Sequence, residues 1–161
     1  MSISVAILTI SDSAVAGTRE DASGPALAER CRALSWEIVA TAVVADEELA
    51  IEATLKEWAD TGSAELILTT GGTGVAPRDV TPEATRRVLD REIPGLAELM
   101  RQKGLEQTKF SVMSRALAGT RKRSLIVNLP GSPRGALFSL QSIESVVPHT
   151  IELLQGSTCH R

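Results

Sequence analysis

Aromatic residues are nearly missing from this 161-residue chain. It has no tyrosine, and its aromatics are Trp36, Trp58, Phe110 and Phe138. That is poor material for the stacking platforms on which single-stranded nucleic acid is read. An excess of basic charge is also lacking: 17 Lys and Arg stand against 20 Asp and Glu, a net charge of −3. A general nucleic-acid binder would show the opposite balance. Cysteine is scarce. Cys31 and Cys159 lie far apart, offer no metal-ligand spacing, and read as a buried thiol and a tail thiol. The two histidines, His149 beside Pro148 and His160 in the tail, sit near no nucleophile pattern. No serine occupies a Gly-x-Ser-x-Gly elbow, which disfavours acyl transfer. No apolar run approaches ~20 residues, and the N-terminus lacks a basic region followed by an apolar stretch and a cleavage site. The expectation is a cytoplasmic protein with neither membrane nor nucleic acid among its partners. Residues 1–161 show no repeat, linker or low-complexity stretch and read as one domain.

Several apolar runs remain, and they alternate with helical patterns. Ile3 to Ile10, Trp36 to Val44 and Glu65-Leu66-Ile67-Leu68 are β-branched or continuously apolar, as interior strands are. Helices are expected from Pro25 to about Leu34, with Ala26, Leu27, Cys31 and Leu34 inward, and after Asp46, with Ile51, Leu55 and Trp58 inward. Glu52 and Lys56 form an i,i+4 pair in the second of these. A third helix starts at Thr81 as N-cap with Pro82 first, and a fourth near Pro94. Beyond Ser111 the pattern changes. Ser111 to Ala118 and Ser124 to Leu129 are strand-like, joined by Gly119 to Arg123, and predict an antiparallel hairpin. Ser132-Pro133 opens another helix, and Pro148 the last, which stops at Gly156. Such alternation predicts a three-layer α/β/α fold around a mainly parallel sheet with one antiparallel addition.

Ligands in parallel sheets bind beyond the carboxyl ends of the strands. Four polar turns fall there: Ser11 to Ser13, Ala45-Asp46, Gly71 to Asp79, and Asn128 to Ser132. The third is the most informative. Thr69-Thr70-Gly71-Gly72-Thr73-Gly74 leads through Pro77-Arg78-Asp79 to the Thr81 helix, with about ten residues between strand and helix, where ~2–6 is usual. Three glycines in four positions let backbone N–H groups approach an anion, or serve a tight turn that needs positive φ. The loop lacks the lysine of a P-loop and the third glycine of a dinucleotide fingerprint. Asp46 reads either as a helix N-cap or as a site acid, and Asp79 as a surface partner of Arg78 or as a site acid. If the strand ends are adjacent, the two carboxylates beside a phosphate loop suit Mg²⁺ with a nucleoside triphosphate. Asp12 is a polar contact or a turn cap. Ser114 and Arg115 are either ordinary outward strand residues or site residues, and Arg121-Lys122-Arg123 reads as a solvated turn.

Taken in order, Thr9-Ile10-Ser11-Asp12-Ser13, Ser23-Gly24-Pro25, Ala45-Asp46-Glu47, Thr69 to Gly74, Pro77 to Thr85, Pro94-Gly95, Ser114-Arg115 and Asn128 to Ser132 resemble the molybdopterin adenylyltransferase family, which includes the gephyrin G domain. The resemblance covers almost the whole chain and implies a stand-alone, homotrimeric form, without the E-type domain of the eukaryotic fusions. It implies transfer of AMP from MgATP to the terminal phosphate of molybdopterin, with release of pyrophosphate and possible hand-over to a molybdate-insertion enzyme. By matching positions, Asp46 and Asp79 would be catalytic and would organise Mg²⁺. Gly71, Gly72, Thr73, Gly74, Pro130, Gly131 and Ser132 would bind the nucleotide. Asp12, Ser13, Ser114, Arg115 and Asn128 would line the pterin site. The rival readings are a non-catalytic pterin- or nucleotide-binding sibling and a trimeric scaffold on the same fold.

Overall fold

In the computed structural model, which describes residues 2–157, one six-stranded sheet runs in the order β2-β1-β3-β6-β5-β4. In chain order the elements are β1 (Ser4–Ile10), α1 (Asp12–Val15), α2 (Ser23–Ala33), β2 (Glu37–Val44), α3 (Glu48–Asp60), β3 (Leu66–Thr70), α4 (Thr81–Val88), β4 (Arg91–Glu92) and α5 (Pro94–Gly104). A 3-10 turn at Lys109–Met113 follows, then β5 (Ala118–Arg121), β6 (Ser124–Leu129), α6 (Pro133–Ile143) and α7 (Val147–Leu154). Cys159 and His160 lie outside the described residues. No helix among the described residues is long and apolar enough to cross a membrane.

Strands β2, β1, β3 and β6 are mutually parallel, and β5 is antiparallel to both β6 and β4. The α/β sandwich with an antiparallel addition is therefore as the alternation predicts. β3 is buried at all five positions, as a strand covered on both faces must be. Its alternation divides the core. Leu66 and Leu68, with Val5, Ile7, Leu125 and Val127, face α2, α5, α6 and α7. Ile67, with Ala6, Leu8 and Ile126, faces α3 and α4 through Ile51, Leu55, Ala84 and Val88. Cys31 is fully buried in the first of these cores, and burial pushes its thiol up to about 12. It is an inert core residue, as its position in the sequence suggested.

Several local expectations change. α2 starts two residues before Pro25, because the Asp21 carboxylate accepts from Gly24 N–H (3.0 Å), and Ala28 rather than Ala26 joins its buried stripe. Ser111 to Ala118 is not a strand: the chain turns through the 3-10 helix and runs extended to β5. The reversal is the two residues Lys122-Arg123, with Lys122 at φ 51°. Gly119, Thr120 and Arg121 lie in β5, where Gly119 pairs with Glu92 of the unforeseen short strand β4. The Glu52–Lys56 pair forms at 3.8 Å, and Arg87 joins it from α4 at 3.0 Å.

Leu68 is completely inaccessible at the centre of β3. Leu68→Ala is expected to cost about 2–5 kcal/mol, from lost transfer energy and the cavity left behind, read as a lower urea midpoint with an unchanged slope.

Candidate functional site

The parallel register sets the site. Thr9 lies opposite Thr70, Thr70 opposite Leu129, and Ile10 opposite Val44, so the chain leaves four strands at one level. Ser11 N–H donates to Val44 O (2.9 Å) and Gly71 N–H to Leu129 O (3.1 Å), which extends the pairing past the strand ends. The four polar turns therefore converge. A cavity of about 480 Å³ is lined by Ser11 to Ser13, Asp46, Gly71, Gly72, Asp79, Gly131 and Ser132.

The first two glycines of the loop are required by geometry. Gly71 has φ +105°, and a Cβ there would lie 2.2 Å from the Ile10 carbonyl oxygen. Gly72 has φ +69°, and its Cβ would meet the Thr81 hydroxyl at 2.3 Å and an Asp46 carboxylate oxygen at 3.1 Å. The positive-φ requirement and the ability to approach a ligand thus coexist. Thr81 is not the N-cap of α4; Val80 holds that position. Thr81 is the first helical residue, and its hydroxyl donates to Gly71 O (2.9 Å), holding the loop's entry against its exit.

Asp46 does not cap α3 either. The helix begins at Glu48 behind an extended Glu47, with no side-chain cap. Instead Asp46 and Asp12 bond reciprocally across the ends of β2 and β1. Asp12 N–H donates to Asp46 Oδ2 (2.9 Å), and Asp46 N–H to Asp12 Oδ1 (3.0 Å). The expected Arg78–Asp79 pair is replaced. Arg78 reaches over the cavity edge to Asp12 (2.9 and 3.0 Å) and Glu47 (3.0 Å). Its hydrogen bonds hold the Asp12 carboxyl below its usual range, while Asp46 is raised, first by burial and then by the neighbouring Asp12 and Asp79 charges. Asp79 accepts from Ala76 N–H through Oδ2 (2.9 Å) and closes the turn within the loop. Asp46 and Asp79 therefore share one cavity without a salt-bridge partner among the described residues. No group of three or more His, Cys, Asp or Glu side chains among those residues is arranged to hold a metal by itself.

A second cavity, of about 280 Å³, opens on the other side of the same loop. Thr73, Gly74, Ser114, Asn128 and Pro130 contribute to its wall, and Ser132 belongs to both cavities. Ser132 caps α6 by accepting from Gly135 N–H (3.1 Å), as its place before Pro133 predicts. The residues expected at a pterin site are thus divided: Asp12 and Ser13 in the first cavity, Ser114 and Asn128 at the second. The Asn128 side chain is fully buried and engaged within the fold. It accepts from Leu117 N–H (3.1 Å) and donates to the Thr69 and Thr85 hydroxyls (3.0 and 2.9 Å). Arg115 lines neither cavity. Read as an outward strand residue or as a pterin-site residue, it instead lies behind the loop and donates to Gly74 O, Asp79 O and Glu83.

Sequence reasoning missed Arg19, Glu20 and Asp21, which line the first cavity. Asp21 also accepts from the Thr9 hydroxyl (2.8 Å), joining the turn to the end of β1. The only signal was their place in a long polar stretch after a buried strand. Among the described residues, Arg19 is the one basic residue on a wall with five acids: Asp12, Glu20, Asp21, Asp46 and Asp79.

Residues 6–149 match the family described as "Probable molybdopterin binding domain". The chain is 40% identical to the molybdopterin adenylyltransferase of Escherichia coli K12 over 94% of its own length and 85% of that protein. It is 40% identical to the Drosophila melanogaster molybdenum cofactor synthesis protein cinnamon over 95% of its length, but it spans only 26% of that longer protein. The crystal structure of the molybdopterin biosynthesis enzyme MoaB from Thermus thermophilus superposes with a TM-score of 0.91. It shares 50% identity with this chain, over 96% of this chain and 98% of that one.

The raised carboxyl of Asp46 makes its charge a cost to folding at neutral pH. A carboxyl whose folded value lies above its unfolded one favours the native state below the ordinary carboxylate range, and that contribution is lost as pH rises through the folded value. Asp46→Asn keeps an acceptor for Asp12 N–H and removes the charge. Its melting temperature is expected to exceed that of the wild type at pH 7 in metal-free buffer, with the difference vanishing as pH falls below about 4. Thermal scans across pH measure both.

Proposed function

This chain belongs to the molybdopterin-binding domain family, and from that premise we propose that it is a molybdopterin adenylyltransferase of molybdenum cofactor biosynthesis, with ATP as its co-substrate. The observation that carries the reading is the Gly71–Gly74 loop between two cavities, with Asp46 and Asp79 together in one of them. Joining two phosphorylated molecules calls for this layout. One oxygen of the terminal molybdopterin phosphate attacks the α-phosphorus of ATP. The new P–O bond forms as the bond from the α-phosphorus to its bridging oxygen breaks, and pyrophosphate leaves with that electron pair. No protein nucleophile is required; alignment and charge neutralisation do the work. Backbone N–H groups of the loop would orient the phosphates, and Ser132, common to both cavities, would sit where the two substrates meet.

The acid-rich wall supports a divalent cation. Phosphates entering beside Asp46 and Asp79 would otherwise be repelled, and Arg78, already engaged by Asp12 and Glu47, does not neutralise these two acids. Mg²⁺ characteristically takes one or two carboxylates and completes its shell with phosphate oxygens and water. Two aspartates with neither a salt-bridge partner nor a third acidic, His or Cys ligand among the described residues fit that habit. Asp46 and Asp79 would hold the ion, which would supply charge neutralisation on the phosphates. Resemblance also supports a homotrimer and delivery of adenylyl-molybdopterin to a molybdate-insertion enzyme.

The rival reading is a sibling on the same fold that binds pterin or nucleotide without turnover. Incubation with molybdopterin and MgATP separates the two, because only the transferase releases pyrophosphate. Asp46→Ala and Asp79→Ala are each expected to fold and to lose at least ~10²-fold in the rate of that release, the typical size of one transition-state charge contact. Pyrophosphate formation at the wild-type rate by either variant would remove that residue from the reaction.

A further inference from the structure

The turn between Gly74 and Asp79 is solvent-exposed along Val75, Ala76, Pro77 and Arg78, yet it carries one of the two site acids. Within the turn, Asp79 N–H donates to Ala76 O (2.9 Å) and the Asp79 carboxylate accepts from Ala76 N–H. At its exposed rim the turn is tied down by Arg78 to Asp12 and Glu47, and on its inner side a second guanidinium fastens its backbone. Arg115 Nε donates to Gly74 O at 2.7 Å and Nη2 to Asp79 O at 2.7 Å, so the fork grips both ends of the turn. Its backbone N–H donates to Thr73 O (2.8 Å), and its Nη1 pairs with Glu83 in the first turn of α4. Arg115 is itself anchored from α5, where Arg101 Nη1 donates to the carbonyls on either side of it, Ser114 O (3.3 Å) and Ala116 O (3.0 Å). Ser114, Thr73 and Gly74 line the second cavity, while Asp79 lines the first.

From this connectivity we infer that Arg115 is a positioning residue that couples the two cavities: it transmits the seating of a ligand against Ser114 to the placement of the Asp79 carboxylate. The inference deepens the adenylyl-transfer reading and rests on it for its catalytic consequence. The planar fork matters here. Two carbonyls in different directions are met by nitrogens fixed in one plane, which the single ammonium of lysine does not reproduce. Glu83 adds a structural component that any test must separate. Its Oε2 is buried with no partner among the described residues; burial raises its carboxyl, but the bond from Arg115, its own backbone N–H and the charges of Arg115 and Arg86 together hold it below the usual range. Deleting Arg115 alone removes the side-chain hydrogen bond and the charge that do most to offset the burial of that carboxylate.

Three variants distinguish positioning from simple support: Arg115→Lys, Arg115→Gln and the double variant Arg115→Gln/Glu83→Gln. Pyrophosphate release gives kcat and KM, urea unfolding gives stability, and amide exchange reports on residues 74–79. Arg115→Lys is expected to fold like the wild type and to lose up to about 100-fold in kcat, the scale of a small misplacement of a reacting group, with KM for ATP changed less than ~3-fold. Exchange at 74–79 should rise in it and nowhere else. Molybdopterin should slow that exchange in the wild type but not in the variant. The double variant should regain the stability lost by Arg115→Gln without regaining kcat. Recovery of kcat in the double variant would overturn the inference in favour of a merely structural pair. A rise confined to KM for molybdopterin would make Arg115 a ligand contact instead. If the wild type releases no pyrophosphate, adenylyl transfer fails, and exchange at 74–79 with and without molybdopterin still decides the coupling.

Discussion

Parallel pairing of β1, β3 and β6 is the constraint on which the site depends. In an unbroken parallel ladder the strands end on one edge of the sheet, and here β1, β2, β3 and β6 end within a residue or two of each other. The turns that carry Asp12, Asp46, Asp79 and Ser132 all leave from that edge. The register is held by burial, because slipping β3 by one residue would exchange Leu66 and Leu68 with Ile67 between two differently shaped cores. It is held again by polar groups that a dry strand end cannot leave unpaired. The Thr70 hydroxyl donates to Pro130 O (2.7 Å), and the Thr69 hydroxyl accepts from Asn128, whose amide also reaches Thr85 and Leu117. Asn128, on the wall of the second cavity, is therefore the joint between β3, β6, α4 and the chain entering β5.

Above that edge the fold concentrates like charge. Asp12 and Asp46 are neighbours because each accepts the other's backbone N–H, a pairing set by main-chain geometry that brings two carboxylates together against their repulsion. Arg78 offsets the repulsion at the rim, where exposure makes its ion pairs weak. Asp46 lies deeper, and its carboxyl is raised first by burial and then by the neighbouring Asp12 and Asp79 charges. Perturbed acids in a cleft are a common mark of functional sites. An acidic cleft beside a glycine turn is electrostatically incomplete, and the proposed phosphate and divalent cation would complete it.

Much of this could be read from the chain. Continuous apolar runs identify β1 and β3, because only a doubly covered strand lacks polar alternation. Ser132-Pro133 marks the start of α6, since capping is local chemistry. The polar turns fall after the right strands, and the glycines fall where positive φ and close approach to Ile10 and Thr81 demand them. The failures are equally physical. Ser111 to Ala118 has strand-like composition but forms a 3-10 turn and an extended segment, because Ser111 is held by Arg101 O (2.7 Å) and Arg115 by the loop, not by a neighbouring strand. Asp46 has the composition of a cap, but its carboxylate is drawn to Asp12.

What the sequence determined by itself was most of the elements, their alternation and the kind of chemistry the turns suggest, because periodicity, caps and glycine conformations act over a few residues; β4 and the 3-10 turn escaped it. Which side chains meet was decided only by tertiary structure. Arg78 reaches Asp12 across 66 positions, Arg115 reaches Gly74 across 41, and Asp46 meets Asp12 across 34. No local rule orders such encounters. They follow from where the sheet sets down the ends of strands that are distant in sequence.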